Sequence, residues 1–199
     1  MKMKTDNFKK HTTKNFLQRF LIDRFFDTFI SELKALGPDS ILDAGCGEGF
    51  TLERVRRAAI GTRLEGLDFL DRAIQLGKIT HPELSLKQGN IYELPYEDNS
   101  FDVVLCLEVL EHLEYPERAL KELQRVARKY CIVSVPNEPF FQMANFLRGK
   151  NLTRWGNDIE HIQHWSTRGI RKLVGKFFEV QKTRAPFPWT IVVSAKSAK

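Results

Sequence analysis

One turn limits what this chain can fold into. Residues 40–51 read Ser40-Ile41-Leu42-Asp43-Ala44-Gly45-Cys46-Gly47-Glu48-Gly49-Phe50-Thr51. A short apolar run ends at an acid, three glycines follow at alternate positions, and Leu52, Val55 and Ala59 then recur at helical spacing. That pattern is a strand, a tight turn and a helix. Glycine admits backbone conformations closed to other residues and lets a ligand lie against the main chain. The helix start behind the turn presents unpaired N–H groups at the positive end of its dipole. A dinucleotide site with this geometry reads G-x-G-x-x-G. Here the order is D-x-G-x-G-x-G, with Asp43 closing the strand. A carboxylate at that point repels phosphate and attracts an ammonium group. A ligand with an amino-acid end and a nucleoside end therefore fits better than a dinucleotide.

The rest of the chain continues the alternation. A strand is expected at 63–67, ending at Asp68-Phe69, then a helix at 71–79 and a strand at 84–88 before Gly89-Asn90-Ile91. The run Val103-Val104-Leu105-Cys106-Leu107 is apolar throughout, as a central parallel strand covered on both faces must be. A helix at 116–129, a strand at 130–135, a long excursion from 137, a helix at 166–176 and strands at 178–183 and 190–195 complete the series. The last two strands have no helix between them, so one is expected to run antiparallel at the far edge. Ahead of the turn, 15–36 is an amphipathic helix with Leu17, Phe20, Leu21, Phe25, Phe29, Leu33 and Leu36 broadly on one face, stopped by Gly37-Pro38. Residues 1–14 are polar and basic, and are expected to be a flexible tail.

Composition narrows the class. At 199 residues the chain suits one α/β domain, here 15–199. The formal charge of +6 is concentrated in Lys2, Lys4, Lys9, Lys10 and Lys14 at one end and Lys196 and Lys199 at the other. Such clusters read as solvated ends before they read as a nucleic-acid or lipid surface. The three cysteines, Cys46, Cys106 and Cys131, are odd in number and lie in or beside expected strands. They read as reduced thiols of a cytoplasmic protein, and no zinc-type spacing occurs. No signal peptide is expected, and the most apolar long stretch, 16–36, contains Arg19, Asp23, Arg24, Asp27, Glu32 and Lys34, too many charges for a membrane span.

Asp43-Ala44-Gly45-Cys46-Gly47-Glu48-Gly49 resembles motif I of the class I S-adenosylmethionine-dependent methyltransferases, and the resemblance extends over most of the chain. It implies an α/β, single Rossmann-like domain: a seven-stranded, mostly parallel sheet with one antiparallel edge strand and helices on both faces. It implies S-adenosylmethionine as cofactor, bound through Asp43, Gly45 and Gly47, with Leu107 at the end of the central strand beside it. Asp68 stands 23 residues after Gly45, and an acid about 20 residues past such a turn can accept the ribose hydroxyls. Phe69 is then placed to stack on the adenine. Asn90 stands where the family usually has Asp and can accept from the adenine amino group through its side-chain carbonyl. Ile91 is expected to cover the ring. The helix at 15–36 is expected to cover the cofactor, which would bring Arg19 to its carboxylate, although a surface arginine is the simpler reading.

The acceptor side follows the central strand, where Glu108, Glu111 and His112 form an E-x-x-E-H cluster. If a helix begins there, the three share a face. Carboxylates with imidazole suit one divalent ion, Mg, Mn or Zn. The cluster is similar to those of two metal-assisted O-methyltransferase groups, one acting on catechols in ubiquinone biosynthesis, the other on the 2′-hydroxyl at the 3′ end of small RNAs. The fourth ligand would be His161, with His164 as the alternative. Without a metal, His112 becomes the general base, and Glu108, Glu111 and His164 remain on the acceptor side. The aromatic and basic stretch 140–150, within an expected acceptor-side lid at 137–165, would line the acceptor pocket. The expected activity is O-methylation of a small-molecule hydroxyl, aromatic, diol or catechol-like, by a monomer or homodimer. Methylation of an RNA terminal ribose is the runner-up, disfavoured because no RNA-binding domain or internal basic patch is present. A catalytically silent, cofactor-binding accessory protein is the third reading.

Overall fold

The computed structural model describes residues 6–138 and 162–197. Most of the expected 137–165 segment, His161 included, lies outside these residues. The chain order is α1 (Asp6–His11), α2 (Phe16–Leu36), β1 (Ser40–Ala44), α3 (Phe50–Arg57), β2 (Arg63–Asp68), α4 (Asp71–Thr80), β3 (Ser85–Gln88), β4 (Phe101–Leu107), a 3-10 turn (Leu110–His112), α5 (Pro116–Val126), β5 (Ala127–Pro136), α6 (Thr167–Val174), β6 (Glu179–Arg184) and β7 (Trp189–Ala195).

The strands form one seven-stranded sheet in the order β3-β2-β1-β4-β5-β7-β6. β1 through β5 pair in parallel, while β7 runs antiparallel to both β5 and β6, leaving β6 outermost. The order reverses between β1 and β4, and doubly wound sheets bind ligands beyond the carboxyl ends at that reversal. The period of two along each strand sends neighbours to opposite faces. Leu42, Ala44, Val104 and Cys106 pack in one core with Leu120 and Leu123 of α5 and Ile170 of α6. Ile41, Val103, Leu105 and Leu107 pack in the other with Phe25, Phe26, Phe29 and Leu33 of α2 and Leu52 of α3.

Local chemistry explains most element ends. Asn15 caps α2, its side chain accepting from Gln18 N at 2.9 Å, and Gly37 closes it in the left-handed region at φ 57°. Leu17 and Phe20, expected on the packed face, are 56% and 50% exposed; burial along α2 begins at Ile22. The helix expected to run to residue 129 stops at Val126, and β5 begins at once. Helix propensity favours Arg128 and Lys129, but both are drawn to the buried Asp102 carboxylate, each at 3.0 Å, and Ala127 pairs with Phe101. Asp102 also accepts from the backbone N–H of Asp39 and Ser40, tying the start of β1 to that of β4. The largest departure is at the N-terminus, where the expected flexible tail carries α1.

Candidate functional site

The glycine turn leaves β1 and crosses the end of β2. Gly45 N and Cys46 N both donate to Leu67 O, at 2.7 and 3.0 Å. Gly45 takes φ 95°, and a Cβ built there would lie 2.3 Å from Val109 Cγ2. No other residue fits, because both the conformation and the space are closed to a side chain. Asp68 sits across the turn. Its Oδ2 accepts from Gly47 N and its Oδ1 from Leu70 N, both at 2.8 Å. One carboxylate thus holds the turn and the start of α4 together. Burial raises the Asp68 pKa, and the two N–H donors oppose the rise.

Asp43 is 2% exposed at the end of β1. Burial, and then the charge of Asp68, push its pKa up to about 7. A cation beside Asp43 would remove that conflict and favour the ionised form. Phe69 is 71% exposed beyond Asp68, open for stacking. Asn90 is exposed too, though its Oδ1 already accepts from Tyr92 N at 3.0 Å. Ile91 is 8% exposed and packs in the core on the α5 face.

A cavity of about 50 Å³ joins the turn to the central strand, with Gly45, Cys46, Leu107 and Glu108 on its walls and Phe25, Phe26 and Trp189 closing its apolar side. Arg19 is not among its lining residues. It lines an outer groove with Lys14, Asp23 and Arg54.

The E-x-x-E-H cluster does not share a helical face. Glu108 takes a left-handed φ of 60°, and Leu110–His112 is a 3-10 turn. At three residues per turn, neighbours 111 and 112 point apart: Glu111 is buried and His112 exposed. Glu108 Oε1 accepts from Ser134 Oγ at 2.9 Å. Burial raises its pKa, and Lys10 and Ser134 pull the other way. Burial, and then the Glu108 charge, push Glu111 well above the carboxylate range, and among the described residues Glu111 Oε2 has no hydrogen-bond partner. Burial and the neighbouring Glu108 thus both favour the protonated form of Glu111. Its backbone carbonyl accepts from Ile162 N and Gln163 N, bringing the segment with the exposed His164 alongside.

The described members of the expected metal set do not converge. Among the described residues, three ligand-type atoms gather within 4.8 Å at Glu53, His81 and Glu83, and not at Glu108, Glu111 and His112. Glu53 is already neutralised by Arg56 and Arg57, so that group is an ion-pair network.

Several residues at the cavity were not anticipated: Asn7, Lys10 and His11 from α1, Phe50 from α3, and Trp189 from β7. The spacing i, i+3, i+4 of Asn7, Lys10 and His11 was the available signal, since it places them on one helical face. Burial, with the charges of Lys10 and Arg54, holds the His11 pKa down at about 3, so its imidazole is neutral.

Comparison with known proteins gives a consistent picture. Residues 42–134 match the family model of the methyltransferase domain. A protein of Mycolicibacterium smegmatis described as a probable S-adenosylmethionine-dependent methyltransferase is 35% identical over 103 residues, 51% of this chain and 39% of that protein. The chain thus spans well under half the length of that relative. Demethylmenaquinone methyltransferase of Lactobacillus johnsonii is 33% identical over 165 residues, 71% of this chain and 66% of the relative. In structure, magnesium protoporphyrin IX methyltransferase of Synechocystis with bound S-adenosylhomocysteine superposes with a TM-score of 0.70 at 20% identity, covering 92% of this chain and 88% of the other. That likeness is one of fold.

Proposed function

We propose that the chain is an active class I S-adenosylmethionine-dependent methyltransferase that methylates a hydroxyl oxygen of a small-molecule acceptor. One observation carries the reading: a single cavity is walled by Gly45 and Cys46 of the glycine turn and by Leu107 and Glu108 at the end of β4. The glycine turn and Glu108, the first acid of the acceptor-side cluster, therefore face one cavity.

The residues fit the cofactor. The turn at Gly45 leaves no room for a side chain, so a ligand can lie against bare backbone. Asp43, Asp68 and Glu108 supply negative potential suited to a ligand bearing an ammonium and a sulfonium group. Asp68 would hold the ribose hydroxyls and Phe69 the adenine face. When bound, S-adenosylmethionine supplies an electrophilic methyl group. The protein is then left with aligning the acceptor and removing its proton. His112 is our choice of base, being the described imidazole on the turn that follows Glu108. Glu111 is buried behind Glu108, where burial and the Glu108 charge raise its pKa. Leu107, Phe25 and Trp189 exclude water from the reacting face. The ligand atoms of Glu108, Glu111 and His112 do not gather around one point, so the proton-removing role falls to the imidazole alone.

The test is incubation with S-adenosylmethionine and a panel of phenols, catechols and aliphatic diols, read by mass spectrometry for gain of a methyl group on oxygen. His112→Gln is expected to suppress transfer while leaving S-adenosylhomocysteine binding within about 1 kcal/mol, as separated sites are nearly additive. Chelator-treated protein is expected to keep its activity. Loss on chelation with recovery on adding Mg, Mn or Zn would restore the metal reading. Methylation confined to nitrogen or carbon acceptors would overturn the choice of oxygen.

A further inference from the structure

The N-terminal helix occupies the crevice that the strand reversal opens. Asn7 Nδ2 donates to Glu48 Oε2 at 2.5 Å, inside the glycine turn itself. A Cβ on Gly47 would come within 2.8 Å of the same amide nitrogen. Behind this fastening, His11 stacks on Phe50 with ring centroids 4.6 Å apart, and Phe8 meets the same ring edge-on at 5.6 Å. Lys10 reaches over Trp189, its Nζ 5.4 Å from the ring centroid, and its charge acts on both Glu108 and Glu111.

The spatial consequence is a partition. The inner cavity at the turn is about 50 Å³, whereas the outer groove beside Arg19 and Arg54 is about 310 Å³. Lys10, His11 and Ile22 line both, so they form the wall between them. Pockets that enclose ligands of nucleoside size run to roughly 300–1,000 Å³. The cavity at the turn is several times smaller, and Asn7, Lys10 and His11 of α1 form part of its wall. At six residues, α1 is too short to persist alone. Its order depends on the contacts just described, and it can leave as a unit.

We propose that α1 is an internal plug of the cofactor crevice: Asn7 fastens it to the glycine turn, and Lys10, which shares the cavity wall with Glu108, supplies there the positive charge that a bound cofactor otherwise brings, so the cofactor enters as α1 withdraws. This rests on the cofactor reading above. It separates a plug, which competes with the ligand, from a cover, which closes on it. The two have opposite signatures.

Two measurements on the full chain test it. First, the variant Asn7→Ala/Lys10→Met is expected to bind S-adenosylhomocysteine about tenfold tighter by calorimetry, because apparent affinity scales with the fraction of molecules already open. Second, saturating S-adenosylhomocysteine is expected to speed tryptic cleavage of the wild-type chain after Lys9 and Lys10 several-fold, as the helix is released. Weaker binding by the variant, or protection of Lys9 and Lys10 by the ligand, overturns the plug and makes α1 a cover. Unchanged affinity and unchanged cleavage overturn it as well and make α1 a bystander. If the ligand binds neither protein, the cofactor reading falls and the plug falls with it.

Discussion

Gly45 and Asp68 show how single residues set the site. Gly45→Ala would have to hold a left-handed φ of 95° and push Val109 aside. It is expected to cost about 1–3 kcal/mol of stability, the range for one strained backbone position, and to abolish S-adenosylhomocysteine binding; denaturant titration and calorimetry read the two effects separately. Asp68→Ala releases Gly47 N and Leu70 N from their acceptor. Cofactor affinity is expected to fall by about 1–3 kcal/mol, since hydrogen bonds to a charged group are involved. Both residues were legible in the sequence, because a D-x-G-x-G-x-G turn and an acid at the next strand end are local patterns. The packing of Ile91 in the core on the α5 face was not, since it depends on how the chain after β3 meets that core.

Elements are joined by charges as well as by apolar faces. Asp102 binds the starts of β1 and β4 and receives Arg128 and Lys129 from β5. Those donors hold its pKa well below the usual carboxylate range against the effect of burial. Asp102→Ala strands the N–H groups of Asp39 and Ser40, while the two long cations can turn to solvent. The expected loss is therefore about 1–3 kcal/mol, below the roughly 3–5 kcal/mol for breaking a fully buried pair. A lower midpoint in urea with an unchanged slope would confirm it. The same ion pairs explain why α5 stops at Val126, against the helix propensity of the residues that follow. The 3-10 turn after β4 has a similar lesson: E-x-x-E-H spacing suggests one face, but the left-handed Glu108 and a tighter helix set Glu111 and His112 apart.

At the scale of the whole molecule, the buried Asp43 couples stability to pH. Its pKa rises from an ordinary 3.8 to about 7 on folding. Between those values the folded chain holds a proton that the unfolded chain has lost. The stabilisation is thus complete below about pH 4 and disappears as pH rises through 7. Three pH units at about 1.4 kcal/mol each give roughly 4 kcal/mol. Measured against Asp43→Asn, the wild-type protein is expected to lose that amount between pH 4 and 7, and a flat difference would show that Asp43 is ionised throughout. A ligand ammonium beside Asp43 favours the ionised form, so the affinity for S-adenosylhomocysteine, whose amino-acid end carries one, is expected to rise with pH across the same range.

The sequence by itself determined the architecture, because period-two strands, period-3.6 helices and glycine punctuation are short-range signals that repeat in order. It also determined the glycine turn, Asp43 through Gly49, and the acid that ends β2, Asp68. Tertiary structure decided what converges there. Leu107 and Glu108 reach the turn through the pairing of β1 with β4, and Trp189 arrives from the far end of the chain on the antiparallel β7. Asn7, Lys10 and His11 lie in what reads as a basic tail, and become site residues only because α1 docks on Glu48 and Phe50, about forty positions away. Arg19 goes the other way, a plausible cofactor contact left in the outer groove by the position of the same helix. Contacts between distant segments depend on which surfaces the folded sheet presents, and no spacing rule along the chain encodes them.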